Sequence, residues 1–351
     1  MDFDSASFKF SPADAAVSIA EIGVNHNGDM TLAKKLIDEA INCGADIVKF
    51  QAFVAEEEIS KFADKADYQK ETTGSSGGQL EMAKALELSH SQLTEIRDYC
   101  RDRGAPFLCT AFDYTSLNFL VRELKVKAIK VASSEVTNHP FLRAIARSGV
   151  GIILSSGASS LQEVREAVEV IRHEGDNELV VLHCVSNYPA DMSQLNLRCI
   201  QTMAQQLDLP VGYSDHSMGV EAPIVASALG AVLVEKHFTL DRNMEGPDHR
   251  ASVEPAELAA MVKGMAAARS ILGDGVKRVV ACELDNRSLI RKSLVAMTDL
   301  PKGHRLEAAD LAAKRPLGGV EPFDLERIIG KRLLCSIEED APVRWEDLND
   351  E

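Results

Sequence analysis

The sequence of 351 residues lacks several features that would place it in a specialised class of protein. Acidic residues (54) outnumber basic ones (38), so the formal charge is −16, and we expect no binding to nucleic acid or to a membrane surface. No run of about 20 uninterrupted apolar residues occurs, so no membrane span is expected. The first 17 residues carry three acids, one lysine and no apolar run of signal-peptide length, which predicts a cytoplasmic protein.

Cysteine is present, but it lacks any pattern of paired use. The seven cysteines are odd in number, and none forms a CxxC pair. Three of them, Cys43, Cys109 and Cys184, lie among apolar neighbours. We therefore expect reduced thiols in the core rather than a disulfide framework or a thiolate zinc site.

Hydrophobic residues make up 45% of the chain, which is enough for a large core. Eight short apolar runs are each followed by a stretch of helical periodicity, a pattern typical of βα units. The runs begin at Ser18, Asp46, Pro106, Ala128, Gly151, Leu179, Pro210 and Ala231. Eight such units, with no GxGxxG turn after the first, favour an α/β fold with a closed (β/α)8 TIM barrel over a doubly wound sheet.

The spacing of the runs also predicts the domain organisation. The second and third runs start 60 residues apart, and the interval contains Gly74, Gly77 and Gly78, so we predict an inserted, mobile βα loop. We expect the barrel to occupy residues 1–276, a linker 277–289, and a small, mostly β domain 290–351. A domain of about sixty residues is near the lower limit for independent folding.

Polar residues stand at the C-terminal end of nearly every predicted strand, where the active site of a parallel barrel lies. They are Glu21, Asn25, His26, Asn27, Lys49, Gln51, Thr110, Lys130, Ser133, Glu135, Ser155, Ser156, Ser186, Asn187, Tyr188, Ser214, Asp215, His216, Glu235, Lys236 and His237. We therefore expect a cluster of polar and charged groups at the mouth of the barrel.

Two histidines of this set end adjacent strands. His216 and His237 are predicted to meet across the mouth and to bind a divalent metal, leaving coordination positions for water and substrate. Glu235 and Asp215 are expected to orient the imidazoles. With imidazole and oxygen ligands and no thiolate, Mn²⁺ is favoured, and Mg²⁺ or Co²⁺ is an alternative.

Two lysines are embedded in predicted strands, where an unpaired ammonium group would be costly to bury. Lys49 and Lys130 are consistent with binding a phosphate and a carboxylate, with help from neighbouring serines. Two alternatives are a Schiff-base lysine of a class I aldolase and ion pairs to Glu21 or Glu135 inside the barrel. Those two carboxylates are also candidates for acid–base catalysis.

One adjacent pair of reactive residues is excluded on geometric grounds. His183 and Cys184 are neighbours in a predicted strand, and neighbouring side chains of a strand point to opposite faces. We therefore do not expect these two residues to form a nucleophile and base.

The order of the motifs resembles that of the sialic acid synthase family, from about Ser18 to Val343. The motifs are IAEIGVNHNG, DIVKFQAF, IKVASSE, SSG, LHCVSNYP, GYSDH and EKHFTLDRNMEGPDHRAS, followed by KSLVA and KRP. The resemblance implies a metal-dependent condensation of phosphoenolpyruvate with an N-acylmannosamine, giving a nine-carbon 2-keto acid and phosphate. N-acetylmannosamine, giving N-acetylneuraminate, is the first candidate, and 2,4-diacetamido-2,4,6-trideoxymannose, giving N,N'-diacetyllegionaminate, is the alternative.

The same resemblance implies a C-terminal SAF (antifreeze-like) domain, a domain-swapped homodimer and roles for individual residues. The metal ligands match His216 and His237, and Glu21 matches the catalytic carboxylate, which shares the role of candidate base with a metal-bound water. The phosphoenolpyruvate contacts match Lys49, Thr110, Lys130, Ser133, Ser155, Ser186 and Ser214. The sugar contacts match Gln51, Glu135, Tyr188 and Asp248, and Arg315 matches an arginine that reaches the partner's site to hold the N-acyl group.

The sequence departs from the family pattern at three positions near these contacts. They are Ser134, Ala111 and Ala158, and none of them removes a matched residue. Two other functions stay open from the residues alone: a Schiff-base aldolase that uses Lys49 or Lys130, and a non-catalytic sugar or phosphate binder.

Overall fold

The computed structural model describes residues 16–74 and 77–349. The amino-terminal segment used for the prediction about export, and residues 75–76 of the glycine-rich interval, lie outside the described residues. The chain divides into two compact units, Met1–Gly273 and Asp274–Glu351. Within the described ranges, no helix is long and apolar enough to cross a membrane.

The first unit is a closed barrel of eight parallel strands in sequential order, in which β1 pairs with both β2 and β8. This confirms the predicted (β/α)8 architecture. The strands are β1 Val17–Gly23, β2 Ile47–Ala52, β3 Phe107–Ala111, β4 Ala128–Val131, β5 Gly151–Ser155, β6 Leu179–Cys184, β7 Val211–Asp215 and β8 Leu233–His237.

Helices surround the barrel and bury apolar faces against it. The helices are α1 Met30–Asn42, α2 Ala55–Glu58, α3 Asp67–Thr73, α4 Gln79–Leu86, α5 His90–Asp102, α6 Tyr114–Asn118, α7 His139–Arg147, α8 Leu161–Glu174, α9 Cys199–Leu207, α10 Glu221–Ala228 and α11 Pro255–Leu272. In α1, Ala33, Leu36, Ile37 and Ala40 are buried at helical spacing, and Asp29 caps the first turn by accepting from the backbone N–H groups of residues 31 and 32.

The interior of the barrel has an apolar layer below a polar one. Side chains of a strand alternate between its two faces, so residues two apart point to the same side. In β1 the inward residue Ile19 is followed by Glu21, and in β8 Leu233 is followed by Glu235 and His237. Ile19 and Leu233 belong to one buried apolar cluster inside the barrel. This layer closes the lower barrel and leaves the polar groups at its C-terminal end.

The predicted insertion between β2 and β3 contains three short helices, α2, α3 and α4. Ala55 of α2 and Ala83 of α4 are buried in a small apolar cluster with Phe53 and Val24. The interval is thus built partly from regular structure that packs onto the βα loops of the first two strands.

The second unit has its own small core. Its elements are α12 Leu284–Ile290, β9 Ser293–Ala296, β10 Leu311–Lys314 and α13 Leu325–Ile328, with β9 and β10 antiparallel. Isolated β-bridges such as Leu300 with Ile337 extend the pairing. The segment predicted as a linker includes α12, which the weak apolar periodicity of residues 276–289 did not indicate.

All seven cysteine thiols of the chain are free, as expected.

Candidate active site

A cavity of about 560 Å³ lies at the C-terminal end of the barrel strands. Its wall includes all seven residues matched to phosphoenolpyruvate contacts, and also Glu21, Gln51, Tyr188, His216, Glu235 and His237. The predicted cluster of polar strand-end residues is therefore real. It forms because the inward positions of the strands change from apolar to polar at one height in the barrel.

A chain of buried charges crosses the floor of this cavity. Lys49 Nζ lies 2.8 Å from Glu21 Oε2 and 3.6 Å from Glu235 Oε2, and it donates to Thr110 Oγ1 at 3.0 Å. Lys130 Nζ lies 3.8 Å from Glu235 Oε1. The ion pair of Lys49 with Glu21 was one of the sequence alternatives. The position of Glu235 between both lysines was not foreseen.

The pKa values in this chain of charges are set by burial and by the neighbouring charges. Burial raises the pKa of Glu21 above its usual value despite the nearby Lys49. Burial alone would lower the pKa of Lys49, but Glu21 and Glu235 hold it above its usual value. Burial lowers the pKa of Lys130. Burial would raise the pKa of Glu235, but Lys130 and Lys49 keep it below the ordinary value.

Hydroxyl groups surround the lysines. Ser214 Oγ donates to Glu235 at 3.1 Å, and Ser133 Oγ accepts from the backbone N–H of Gly157 at 2.8 Å. Among residues 16–74 and 77–349, Ser155 Oγ is one of the few buried side-chain polar atoms without a hydrogen-bond partner. A buried hydroxyl of this kind, in the wall of a cavity that two lysines also line, is suited to bind a ligand oxygen.

The two histidines meet as predicted. The ring centroids of His216 and His237 are 5.5 Å apart, and both rings face the cavity. The Nδ1–H of His216 donates to the carbonyl oxygen of Val185 at 2.8 Å, which leaves the lone pair on Nε2. In the part of the chain that the structure describes, His237 Nδ1 is buried without a hydrogen-bond partner, and Asp248 Oδ2 is 3.8 Å away.

Two expectations about the support of these histidines are wrong. Asp215 does not orient an imidazole: it accepts from Tyr213 at 2.8 Å and forms an ion pair with Lys236 at 2.5 Å. Glu235 bonds to Ser214 and pairs with the site lysines instead. The reason is strand alternation, which turns Asp215 and Lys236 away from the barrel interior and points Glu235 into it.

The residues matched to the sugar occupy different positions. Gln51 Nε2 donates to Glu21 Oε1 at 2.8 Å, and the ring of Tyr188 lies 4.1 Å from that of His216. Glu135 is buried next to the cavity rather than in its wall, accepting from Ser134 at 2.9 Å and Asn138 at 2.7 Å. Burial raises the pKa of Asp248 to about 6.

Arg315 belongs to the second unit, directly after β10, and its peptide bond to Pro316 is cis. The neighbouring Lys314 forms an ion pair with Asp340. The arginine is exposed, as a residue that binds a ligand from a surface loop must be.

Several residues that followed the strands in sequence hold the structure together instead of lining the cavity. Asn25 donates to the carbonyl oxygen of Phe238 at 2.9 Å and to Ser252 Oγ at 2.8 Å. His26 Nδ1 accepts from the backbone N–H of Gly28 at 3.0 Å. Ser156 Oγ donates to the carbonyl oxygen of Leu182 at 2.8 Å. The bonds of Asn25 join the loops after β1 and β8, that of His26 lies within the loop after β1, and that of Ser156 joins the end of β5 to β6.

The sequence reasoning missed several side chains that line the cavity, among them Cys184, Tyr68 and Gln79. Cys184 Sγ lies 3.7 Å from His216 Nδ1, so the thiol set aside as a partner of His183 contacts a different histidine. Tyr68 and Gln79 reach the cavity from the inserted helices α3 and α4. The alternation of side chains along β6 could have placed Cys184 on the inner face of the barrel, because Val180 and Leu182 point inward. Nothing in the local sequence pattern, however, shows that the insertion lies over the barrel.

Comparison with known proteins finds relatives that match this chain along most of its length. Residues 36–277 match the model of the NeuB family, and residues 291–349 match the SAF domain. The chain is 42% identical over 334 residues to the N,N'-diacetyllegionaminic acid synthase of Legionella pneumophila, covering 94% of each protein. It is 36% identical to the N-acetylneuraminate-9-phosphate synthase of Mus musculus, covering 94% of this chain and 92% of the mouse protein.

A solved structure extends the likeness to three dimensions. The N-acetylneuraminic acid (sialic acid) synthetase of Leptospira borgpetersenii superposes with a TM-score of 0.70 at 36% identity, over 78% of this chain and 90% of that one. The family model covers more than half of the chain, and the relatives match it nearly end to end. The chain therefore belongs to the NeuB family, as its resemblance to the sialic acid synthases implied.

Proposed function

We propose that this protein condenses phosphoenolpyruvate with an N-acylmannosamine and releases phosphate, as a carbon–carbon bond-forming transferase. The observation that carries the proposal is a cavity lined by two buried lysines, two histidines, Glu21 and the Ser155 hydroxyl, which has no hydrogen-bond partner among the described residues. A dianionic phosphate and a carboxylate need two cations and several donors, which this floor supplies. The cytoplasmic location predicted from the sequence is part of the proposal.

The lysines and hydroxyls hold phosphoenolpyruvate so that its C3 faces the sugar aldehyde. C3 attacks the aldehyde carbon, the aldehyde oxygen takes up a proton to become a hydroxyl group, and positive charge develops at C2. Glu21 removes a proton from the water that adds to C2, because burial raises its pKa toward the working range of a general base. The tetrahedral carbon then expels phosphate by breaking the C2–O bond, which leaves a 2-keto acid.

The histidines fit a divalent cation, which we propose to be Mn²⁺, with Mg²⁺ or Co²⁺ as alternatives. The support is His237 Nδ1, which is buried without a hydrogen bond to any residue that the structure describes, and the lone pair on His216 Nε2. Within the described residues, no cluster of three or more His, Cys, Asp or Glu side chains could hold a metal. The proposed site would therefore have two histidine ligands and would leave its other coordination positions to water and substrate. A cation bound there supplies Lewis-acid polarisation of the aldehyde oxygen.

Metal binding has a direct test. We expect EDTA to abolish phosphate release and Mn²⁺ or Co²⁺ to restore it. Electron paramagnetic resonance of added Mn²⁺ measures its affinity for the protein. Losing a residue that only orients a metal ligand typically lowers metal affinity by roughly 10- to 100-fold, so His237→Ala, which removes a ligand, should lower the Mn²⁺ affinity by more than that. The exposed His173→Ala is the control and should bind Mn²⁺ like the wild type. Unchanged Mn²⁺ affinity in His237→Ala would remove the assignment.

The reaction itself is tested by mixing the protein with phosphoenolpyruvate, Mn²⁺ and each sugar. Phosphate should appear only when an N-acylmannosamine is present, with an equal amount of keto acid. The relatives at 42% identity carry the name of N,N'-diacetyllegionaminic acid, so the trideoxy diacetamido sugar is tried beside N-acetylmannosamine. The absence of phosphate with either sugar would remove the proposal.

One observation favours a second candidate, the Schiff-base aldolase. Such an enzyme needs a neutral lysine, and burial lowers the pKa of Lys130. Borohydride with pyruvate decides between the two, because reduction of an imine gives a stable adduct that mass spectrometry detects. We expect no adduct.

A non-catalytic binder is tested separately by titration calorimetry. Tight sugar binding without turnover would favour this third function.

We also propose a domain-swapped homodimer in which Arg315 holds the N-acyl group in the partner's cavity. The support is the family resemblance and the exposed position of this guanidinium after β10. Lys49→Ala and Arg315→Ala homodimers should both be inactive, but their heterodimer should recover part of the activity, because one of its two sites holds both wild-type residues. A heterodimer confirmed by native mass spectrometry that stays inactive contradicts the swap.

A further inference from the structure

The insertion between β2 and β3 brings an aromatic side chain to the cavity. Tyr68, at the start of α3, stacks on Tyr188 with ring centroids 5.4 Å apart and an interplanar angle of 27°. The first turn of α3 is held in place by Gln69, whose Oε1 accepts from the backbone N–H of Ala66 at 2.9 Å. The ring of Tyr68 therefore has a defined position above the strand ends.

Tyr68 is the outer member of a row of four rings. His237 lies 5.5 Å from His216, and the ring of Tyr188 lies 4.1 Å from that of His216. Tyr188 in turn contacts Tyr68. The row leads from the two histidines and the buried lysines to the inserted helices. One wall of the cavity thus changes from imidazole to phenol along its length.

The chemistry fixes which end of the sugar reacts. Its aldehyde carbon must reach C3 of phosphoenolpyruvate, so that end faces the lysines and histidines. In the proposed pose the sugar extends from there along the row of rings, with its opposite end, from C4 to C6, against Tyr188 and Tyr68. This is the end at which the two candidate sugars differ. N-acetylmannosamine has hydroxyl groups at C4 and C6, whereas the trideoxy sugar has an acetamido group at C4 and a methyl group at C6.

We infer that Tyr68 is a specificity-determining residue that favours 2,4-diacetamido-2,4,6-trideoxymannose over N-acetylmannosamine, an inference that rests on the proposed function. The acetyl methyl group at C4 and the methyl group at C6 of the trideoxy sugar bury apolar surface on the phenol rings. The hydroxyl groups of N-acetylmannosamine lose water there, and a ring face gives them no hydrogen bond in return. Tyr188 supplies the inner half of this wall, and Tyr68 completes it.

The test compares kcat/KM for both sugars in the full-length protein with phosphoenolpyruvate and Mn²⁺. In the wild type, kcat/KM should favour the trideoxy sugar by at least about tenfold, the lower end of what one methyl group gives in an apolar pocket. Tyr68→Ala should lower kcat/KM for that sugar by about 10- to 30-fold, mainly through KM, and by threefold or less for N-acetylmannosamine. Tyr68→Phe should keep the preference because it keeps the ring.

Two controls separate recognition from damage to the fold. Phe62 is 83% exposed in the same insertion and is not among the residues that line the cavity. Phe62→Ala should therefore leave kcat/KM unchanged for both sugars. The KM for phosphoenolpyruvate should stay constant in every variant. An equal loss for both sugars in Tyr68→Ala overturns the inference.

The wild-type measurement needs no variant to decide. If the wild type prefers N-acetylmannosamine, the inference is wrong, although the proposed reaction stands. If neither sugar gives phosphate, the proposed function fails and the inference fails with it.

Discussion

Glu235 and Lys236 are neighbours on β8, yet their side chains enter two different groups of buried charges. Glu235 points into the barrel, between Lys49 and Lys130, where two ammonium groups share its carboxylate at 3.6 and 3.8 Å. Lys236 points outward, fully buried, 2.5 Å from Asp215 and within hydrogen-bond distance of the carbonyl oxygen of Ser217.

The two groups differ in how completely their partners satisfy them. In the outer group, Asp215 accepts from Tyr213, from the backbone and hydroxyl of Ser217 and from Lys236. The charged groups of this outer network are thus bonded to one another and to their immediate neighbours. The inner group borders a cavity and leaves Ser155 Oγ without a bond, as counted over the described residues. Pairs of a lysine and a carboxylate thus stabilise the fold on one face of the strand and are available to bind a ligand on the other.

The largest expected effect comes from replacing Lys49, one of the two lysines of the inner group. Lys49→Met should lower kcat/KM for phosphate release by about 100- to 1000-fold, since one charged donor to the reacting anion is lost. The free energy of unfolding should change by less than about 2 kcal/mol, because Glu21, whose pKa is already raised by burial, can take up a proton. Steady-state kinetics and urea unfolding of the same preparation measure both. A stability loss larger than the catalytic one would break the comparison.

The outer lysine should behave in the opposite way. Lys236→Met leaves Asp215 buried without its cation, so we expect the free energy of unfolding to fall by about 3–5 kcal/mol. The double variant Lys236→Met with Asp215→Leu should recover part of this loss, because both charges are then gone. Urea unfolding at one pH gives the three values. Wild-type stability in Lys236→Met would show that the outer network contributes nothing.

A smaller effect concerns two buried histidines in the loops after β1 and β8. Burial lowers the pKa of both His26 and His249 to about 4, while an unfolded histidine titrates near 6.5. The unfolded chain therefore binds more protons between these values. Stability is complete above about pH 6.5 and declines as the pH falls toward 4, by about 1–2 kcal/mol for each histidine down to pH 5.

Thermal unfolding from pH 7 to pH 5 measures this slope. His249→Gln should flatten it, and the matched change at the exposed His173 should leave it unaltered. An equal slope in wild type and His249→Gln would mean that other groups cause the acid sensitivity.

Much of the fold could be predicted from the sequence because the signals are local. Eight apolar runs lie at the eight strands, and the inward parity of β2 places Lys49 and Gln51 on the cavity side. The same parity shows that Asp215 and Lys236 face outward, but adjacency to histidines suggested a role for Asp215 that the fold does not give it. Residues whose function depends on distant packing were missed. Tyr68 reaches the cavity only because three inserted helices fold over the strand ends, which no local pattern specifies.

The central claim is that the inner charges hold the phosphate group of phosphoenolpyruvate while water adds at C2. The C2–O bond then breaks, and the P–O bond stays intact. Phosphoenolpyruvate labelled with ¹⁸O in the oxygen that bridges C2 and phosphorus tests this claim in a single turnover with Mn²⁺ and the preferred sugar. Mass spectrometry should find the label in the released phosphate, because that oxygen leaves with phosphorus. Unlabelled phosphate, with the label retained in the keto acid, would mean cleavage of the P–O bond and would contradict the account.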